Sequence, residues 1–306
     1  MLRYVLAATA LRAFSMNGAT KWVYRNLGNL AGGRRRAKGI EPHYIHRAAE
    51  NLAYIESFGA IADGHQLMEL GTGWVHWESL FTRLFYDVKV TLFDVWDNRQ
   101  FPGFLGFASE LRLQLRNQVD RPGDQIDRAE ALLDRILACT SFDDVYKLLG
   151  FNYIIDPTGS LKAVPDGSID LVISSDVMEH VPRGSIATLI QDFRRVLKPG
   201  ARVAQQIVEK DHLTIYAPAA HPKAYLRYDE RTWRRWFEND VQYVNRLQHS
   251  DFLRAFREAG MIVVDECVVA TCDSSEIKIA PEFVHYDKAD LDAIVTRIIA
   301  QKPLDA

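Results

Sequence analysis

Apolar residues over the first 60 positions recur at helical spacing, and the pattern breaks near Gly32-Gly33 and again before Pro42, which predicts two or three helices ahead of any sheet. From Gln66 the pattern shortens. Gln66 to Leu70 reads as a buried strand running into Gly71-Thr72-Gly73, Glu78 to about Tyr86 as a helix, and Val88 to Val95 as a second strand closing on an acid. Residues Asn98 to Gly150 interrupt the alternation, with helices predicted at Gly106 to Gln118 and Gln125 to Ala138. Strand patterning resumes at Tyr153 to Asp156 and Leu171 to Ser175. A helix over Ile186 to Leu197, a turn at Lys198-Pro199-Gly200 and a strand over Ala201 to Val208 follow. Asp211 to Asp251 forms a second interruption, rich in His, Tyr, Trp and Arg. A helix near Phe252 to Ala259 and strands near Met261 to Thr271 and Glu276 to Ile279 close the chain.

Strand, glycine turn, helix and strand ending on an acid is the unit that holds an adenosine-containing cofactor at the carboxyl ends of parallel strands. The expected fold is therefore α/β, Rossmann-like and doubly wound, with a mostly parallel seven-stranded sheet, N-terminal helices and a helical insertion cap. Residues 1–60 read as a helical extension serving as a lid or a homodimer surface. Residues 61–306 read as the main domain, with insertions at about 98–150 and 211–251.

Composition narrows the partners. The 306 residues carry 37 Lys and Arg against 40 Asp and Glu, a net charge of -3, so no basic excess is present to neutralise a run of phosphates. No nucleic acid is expected; a small-molecule or glycosylated partner is. Cys139, Cys267 and Cys272 are an odd number without zinc-type spacing, which points to a reducing, cytoplasmic setting. Leu2 to Phe14 is apolar but interrupted by Arg3 and Arg12 and too short to span a bilayer. A signal peptide is disfavoured because Arg12 follows the Tyr4 to Leu11 run so closely. Arg34, Arg35, Arg36 and Lys38 read as a solvated loop in preference to contact with anionic lipid.

Glycines at the exit of the first strand let backbone N–H groups approach a ligand where a Cβ would clash. The third glycine of the nicotinamide fingerprint is absent, since Trp74, Val75 and His76 fill its region, which argues against a dinucleotide. Glu69 is placed to orient the loop and meet an amino group. Asp94 is placed to accept from two ribose hydroxyls, with a turn or helix-cap role as its alternative.

Ser168-Ile169-Asp170-Leu171-Val172-Ile173-Ser174-Ser175-Asp176-Val177-Met178-Glu179-His180-Val181, followed by Arg195-Val196-Leu197-Lys198-Pro199-Gly200, adds specificity. Together these segments resemble the fourth-strand and fifth-strand region of class I S-adenosylmethionine-dependent methyltransferases over roughly Gln66 to Ile279. The usual double glycine is Gly200-Ala201 here. Gly71-Thr72-Gly73-Trp74, Glu179-His180-Val181, Asp211-His212, Asn245-Arg246-Leu247 and Ser250-Asp251 resemble a small-molecule or polysaccharide-cluster subgroup. The resemblance implies S-adenosyl-L-methionine as cofactor and S-adenosyl-L-homocysteine as product. It implies that Glu69, Gly71 and Gly73, with Thr72 in their turn, hold the methionine end and that Asp94 and Val95 hold the ribose. Ser160 and Leu161 would lie near adenine, with Asp156 as the alternative acid, and Asp176, Val177 and His180 complete the expected contacts.

A sulfonium methyl is already activated, so few catalytic groups are required beyond a base for an acceptor that must lose a proton. Residues after the fourth and fifth strands nominate Asp176, Glu179, His180, Asp211 and His212, with His212 as general base beside Asp211. The bland alternative for His212 is a histidine that holds the insertion's backbone. Tyr216, Tyr225, Tyr228, Trp233 and Trp236 form either an acceptor wall, with Arg227 or Arg246 as an anion clamp, or the core of a cap. No metal is expected, because Asp211, His212 and His221 lack ligand spacing.

Overall fold

The computed structural model describes residues 2–36 and 42–305, and the side chains outside 33–42. Lys38 and the side chains of Arg34, Arg35 and Arg36 lie outside the described residues. Three helices come first, α1 (Leu2–Phe14), α2 (Gly18–Arg36) and α3 (Pro42–Ser57). They precede β1 (Gln66–Leu70), α4 (Trp77–Phe85) and β2 (Lys89–Asp94). Next come α5 (Phe101–Gln118), α6 (Gly123–Leu137), α7 (Phe142–Leu149), β3 (Phe151–Ile155) and β4 (Ile169–Ser175). After α8 (Ile186–Val196) and β5 (Leu197–Val208), the chain forms α9 (Glu230–Trp236), α10 (His249–Glu258) and β6 (Ile262–Thr271). It finishes with α11 (Lys288–Asp292) and β7 (Ala293–Gln301).

The strands form one seven-stranded sheet in the order β3-β2-β1-β4-β5-β7-β6. β1 pairs in parallel with both β2 and β4, and β2 with β3. β7 runs against β5. Gly200 and Ala201 at the start of β5 exchange backbone hydrogen bonds with Lys302, while Glu209 beyond its end donates to Ile294. The sheet is thus mixed but mostly parallel, as expected. Its order reverses where β1 neighbours β4, and ligands of open α/β sheets bind at the carboxyl ends beside such a switch.

Two compact units divide the chain. The glycine-turn unit comprises Leu30–Ser175, Gln191–Ala204 and Ile299–Ala306. Leu67, Met68 and Leu70 of β1 are all buried, so both faces of the strand are covered as in a parallel sheet, with the buried Glu69 interrupting the apolar run. The first insertion joins this core. Phe104, Ala108, Leu111 and Leu115 of α5 and Ile126, Ala129, Leu133 and Ile136 of α6 are buried at helical spacing and belong to one apolar cluster with Leu80, Phe81 and Leu92.

The histidine unit comprises the residues up to Asn29 with Asp176–Ile190 and Gln205–Ile298. Here α1 supplies Tyr4, Ala8 and Leu11 to a core shared with Leu213, Tyr225, Trp233 and Phe237. The second insertion is built from short 3₁₀ turns at His212–Ile215 and Ala224–Arg227 and the brief α9. Among the described residues no helix is long and apolar enough to cross a membrane.

Three local expectations are corrected. α2 runs straight through Gly32 and toward Arg36, and the break falls earlier, at residues 15–17, where Asn17 Oδ1 accepts from Thr20 N at 3.0 Å and Thr20 Oγ1 from Asn17 N at 3.1 Å. That reciprocal cap starts a helix more firmly than two glycines, at about 1 kcal/mol each, can stop one. β5 begins at Leu197 and carries Lys198-Pro199-Gly200 within it, with Gly200 at φ 77° as a bulge against Lys302. No strand forms at Glu276 to Ile279, because Asp273 caps a 3₁₀ turn over Ser274–Glu276. The missing strand is β7.

Candidate functional site

β1 ends in the Gly71-Thr72-Gly73 turn, with both glycines at positive φ (70° and 60°) and open space where a Cβ on Gly73 would stand. Gly71 N donates to Phe93 O at 2.8 Å, binding the turn to β2. His76 holds it from below. This fully buried histidine, itself left-handed at φ 49°, pairs through Nδ1 with Thr72 Oγ1 at 2.9 Å and through Nε2 with the Tyr146 hydroxyl at 2.7 Å. Burial first, and the Arg99 guanidinium second, push its pKa down to about 3, so the ring is neutral. His76 and Tyr146 were not singled out from sequence. A histidine just past a glycine turn was the only local signal, and Tyr146 lies in the first insertion.

Glu69 is 3% exposed, and its Oε2 accepts from Ser79 N at 2.9 Å in the first turn of α4. A carboxylate suits a helix N-terminus, yet burial outweighs that bond and raises the pKa to about 8. The folded value lies above the ordinary 4.5. Glu69 therefore contributes stability below about pH 4.5, and loses it as pH rises through about 8. We expect Glu69→Gln, which mimics the protonated acid, to gain stability relative to wild type as pH is raised from about 5 to 8 in denaturant unfolding. A pH-independent difference would count against this assignment.

Asp94, 6% exposed at the end of β2, accepts from Gly73 N at 3.2 Å through Oδ2 and from Val95 N at 2.8 Å through Oδ1. Burial raises its pKa against these bonds. The exit of β3 reaches the same place: Asp156 N donates to Asp94 O, and a Cβ on Gly159 would stand 3.8 Å from Val95 Cγ1. Leu161 is buried, its N donating to Asp192 Oδ2 and its O accepting from Arg195, while Ser160 Oγ accepts from Lys162 N at 3.4 Å. Asp156 is engaged in a turn, accepting from both the N and the hydroxyl of Thr158. The glycine-turn unit thus carries Glu69, Gly71, Thr72, Gly73, Asp94 and Val95 at the exits of β1 and β2, while Ser160 and Leu161 follow the turn after β3, where Leu161 is held by Asp192 and Arg195.

The remaining nominated residues belong to the histidine unit. Asp176 directly follows β4 at φ 60°, and its Oδ1 accepts from Gln206 Nε2 at 3.0 Å. Val177 leads into a 3₁₀ turn over Met178–His180. Asp211 is fully buried; its carboxylate accepts from Tyr4 OH at 2.6 Å and Leu213 N at 2.9 Å, and burial raises its pKa to about 6. These bonds cap the turn that begins at His212. The His212 and His180 rings stack at 4.7 Å, and burial, then His180, pushes the His212 pKa down to about 3.

The second insertion's aromatic set divides. Tyr225 and Trp233 are core, whereas Tyr216 and Trp236 are exposed. Arg246 is no anion clamp: it is 4% exposed, pairs with Glu230 and Glu282, and donates to Tyr225 O and Tyr228 O. His221 bonds Asp273 O and Lys223 N, apart from any ligand set.

A mostly parallel doubly wound sheet, a glycine turn at the β1 exit and a buried acid at the β2 exit define an α/β enzyme that binds an adenosine cofactor. A family described as Methyltransferase domain matches residues 41–266, and the chain belongs to that family. It is an S-adenosylmethionine-dependent methyltransferase of the class I superfamily, with S-adenosylmethionine as cofactor. No curated protein sequence matches it significantly. Among solved structures, it is similar to a putative sarcosine dimethylglycine methyltransferase from Galdieria sulphuraria, at 13% identity and TM-score 0.50, over 85% of this chain and 86% of that one. It is also similar to phosphoethanolamine N-methyltransferase 2 of Haemonchus contortus, at 15% identity and TM-score 0.47, over 83% of this chain and 52% of that one.

The residues fit the cofactor. The open face of Gly73 leaves room for close backbone approach, and the buried Asp94 carboxylate offers acceptors for vicinal hydroxyls.

Proposed function

We propose that the protein methylates a hydroxyl of a small or glycosylated acceptor in the cytoplasm. Glu69, Gly71, Thr72 and Gly73 would hold the methionine end of the cofactor, Asp94 and Val95 its ribose, and Ser160 and Leu161 its adenine. Asp176, Val177 and His180 follow β4, the strand beside the switch point, and complete the contacts. When bound, S-adenosylmethionine supplies a methyl group already activated by the sulfonium. The observation that carries the catalytic half is His212, whose Nδ1 is buried without a hydrogen-bond partner. A neutral imidazole with a free nitrogen can receive the hydroxyl proton, but burial, which pushes its pKa down to about 3, makes it a weaker base than the near-neutral imidazole expected from sequence; Asp211 positions it through the turn both belong to.

The test is formation of S-adenosylhomocysteine against panels of hydroxylated, glycosylated and amine acceptors. Turnover on hydroxyl acceptors supports the reading, and turnover confined to amines overturns it. Binding without turnover on any panel would favour a scaffold that keeps the cofactor. We expect His212→Ala to lower kcat about 100-fold or more with cofactor affinity unchanged. An unaltered kcat would remove His212 from the chemistry.

A further inference from the structure

The histidine unit contains a set of donor atoms of which the proposed proton transfer uses only the one on His212. Glu179, His180 and His212 each offer a ligand atom, and these atoms all lie within 4.8 Å of one another. Glu179 is 2% exposed, and its carboxylate, approached by the backbone N–H groups of Glu179 and Val208, makes no hydrogen bond of ordinary geometry and meets no cationic side chain among the described residues. A buried, uncompensated carboxylate costs several kcal/mol, and burial accordingly holds the Glu179 pKa well above its ordinary value; a cation bound beside it would let it ionise. The two histidines beside it add ring nitrogens.

What they supply is lone pairs. His180 Nδ1 lies 2.7 Å from Tyr243 O, a contact it makes only as a donor, which leaves Nε2 unprotonated. His212 Nδ1 is buried and unpartnered. A ring nitrogen donating to a backbone carbonyl while the other is free is the usual outer support of a metal-bound histidine. The segments are also fixed. Asn245 Nδ2 donates to Met178 O at 2.8 Å and Val181 O at 3.1 Å, and Asn245 N donates to Glu179 O, while Tyr4 and Leu213 pin Asp211. Asp176, one turn before Glu179, adds a negative charge that acts on both Glu179 and His180.

The geometry points to Glu179, His180 and His212 as a binding site for one divalent transition-metal ion, with positions left for an oxygen ligand. Two imidazoles and one carboxylate suit such an ion over magnesium or calcium, which favour all-oxygen sets. The site's use, though not its existence, rests on the hydroxyl-methylation reading. An acceptor hydroxyl bound to the ion becomes more acidic and releases its proton to water. Its oxygen then forms the O–CH3 bond as the S–CH3 bond breaks, giving the methyl ether, S-adenosylhomocysteine and one proton. His212 cannot be base and ligand together; with the ion bound it is a ligand, and the ion takes over acidification.

The test uses the full chain without a histidine tag, stripped by chelator and titrated with Co2+, following visible absorption, with Mg2+ as the comparison ion. The expected result is one Co2+ per chain, bound more tightly than Mg2+, with X-ray absorption reporting two imidazole ligands. Glu179→Gln and His212→Ala should each weaken Co2+ binding about 100-fold, equivalent to about 2.7 kcal/mol, and His285→Gln, on the surface, should not. No stoichiometric Co2+ in the wild type, a spectrum without two imidazoles, or Mg2+ binding as tightly overturns the inference. The wild-type spectrum decides the matter even if a variant fails to fold. Cofactor binding measured beside it separates the two readings. Cofactor bound without Co2+ sinks the metal site alone, and Co2+ bound without turnover on hydroxyl acceptors sinks its catalytic use alone.

Discussion

Asp94→Ala is expected to weaken S-adenosylmethionine binding by roughly 100-fold or more in calorimetric titration. A carboxylate that accepts from two vicinal hydroxyls makes two charge-assisted hydrogen bonds, each worth about 1.5–3 kcal/mol, and about 1.4 kcal/mol is a factor of ten in affinity. The substitution also frees Gly73 N and Val95 N, which Asp94 now holds at 3.2 and 2.8 Å, so the glycine turn keeps only the Gly71 N to Phe93 O bond as its tie to β2. Asp94→Asn keeps one acceptor oxygen and should fall between, near a tenfold loss. Thermal unfolding of each variant separates lost affinity from lost fold. Binding within about threefold of wild type by a folded Asp94→Ala protein would show that the ribose is held by other groups, and the cofactor assignment around the β1 and β2 exits would have to be redrawn.

That half of the site was legible in the sequence because its determinants are local. Glu69, Gly71, Gly73 and Asp94 lie on two successive strands and the turn between them, and strand-turn-helix-strand fixes their proximity without distant contacts. The His76–Tyr146 support was not legible, since it depends on how the first insertion folds back onto the turn. The Glu179, His180 and His212 cluster shows the same limit more sharply. Each residue could be nominated from its place after β4 or β5, but their convergence depends on Asn245, Tyr4 and Asp211, contributed by separate segments. From sequence no metal is expected, because the set weighed there, Asp211, His212 and His221, lacks ligand spacing, and spacing along the chain does not report groups brought together from separate segments. The seventh strand failed for another reason. Ala293–Gln301 carries a short apolar run with no flanking glycine, which periodicity cannot assign to helix or strand, and only its insertion between β5 and β6 makes it one.

Lys223→Met is expected to lower the unfolding midpoint by about 10 °C, and adding Glu209→Leu should restore part of that loss. Lys223 and Glu209 are both buried, with Nζ 3.7 Å from Glu209 Oε2, and Nζ also donates to Gln248 Oε1 at 2.6 Å and Asp290 O at 3.1 Å. Burial drives the two pKa values in opposite directions, Glu209 upward and Lys223 downward, each resisted by the other's charge. Removing one partner of a buried pair leaves an uncompensated charge and costs about 3–5 kcal/mol, whereas replacing both by apolar groups is often nearly neutral. At about 2–4 °C per kcal/mol for a chain of this size, the single variant should fall by roughly 10 °C. Gln248 and Thr296 would lose a partner in the double variant, so recovery should be incomplete. Strict additivity of the two substitutions would show that the pair is not coupled. The pair also bears on the site, because Glu209 lies two residues before Asp211 and its carbonyl accepts from Tyr225 OH at 2.8 Å. Loosening it should therefore disturb the turn that presents His212, and the variants that lose stability should lose turnover with it, while cofactor affinity at the Asp94 end stays near wild type.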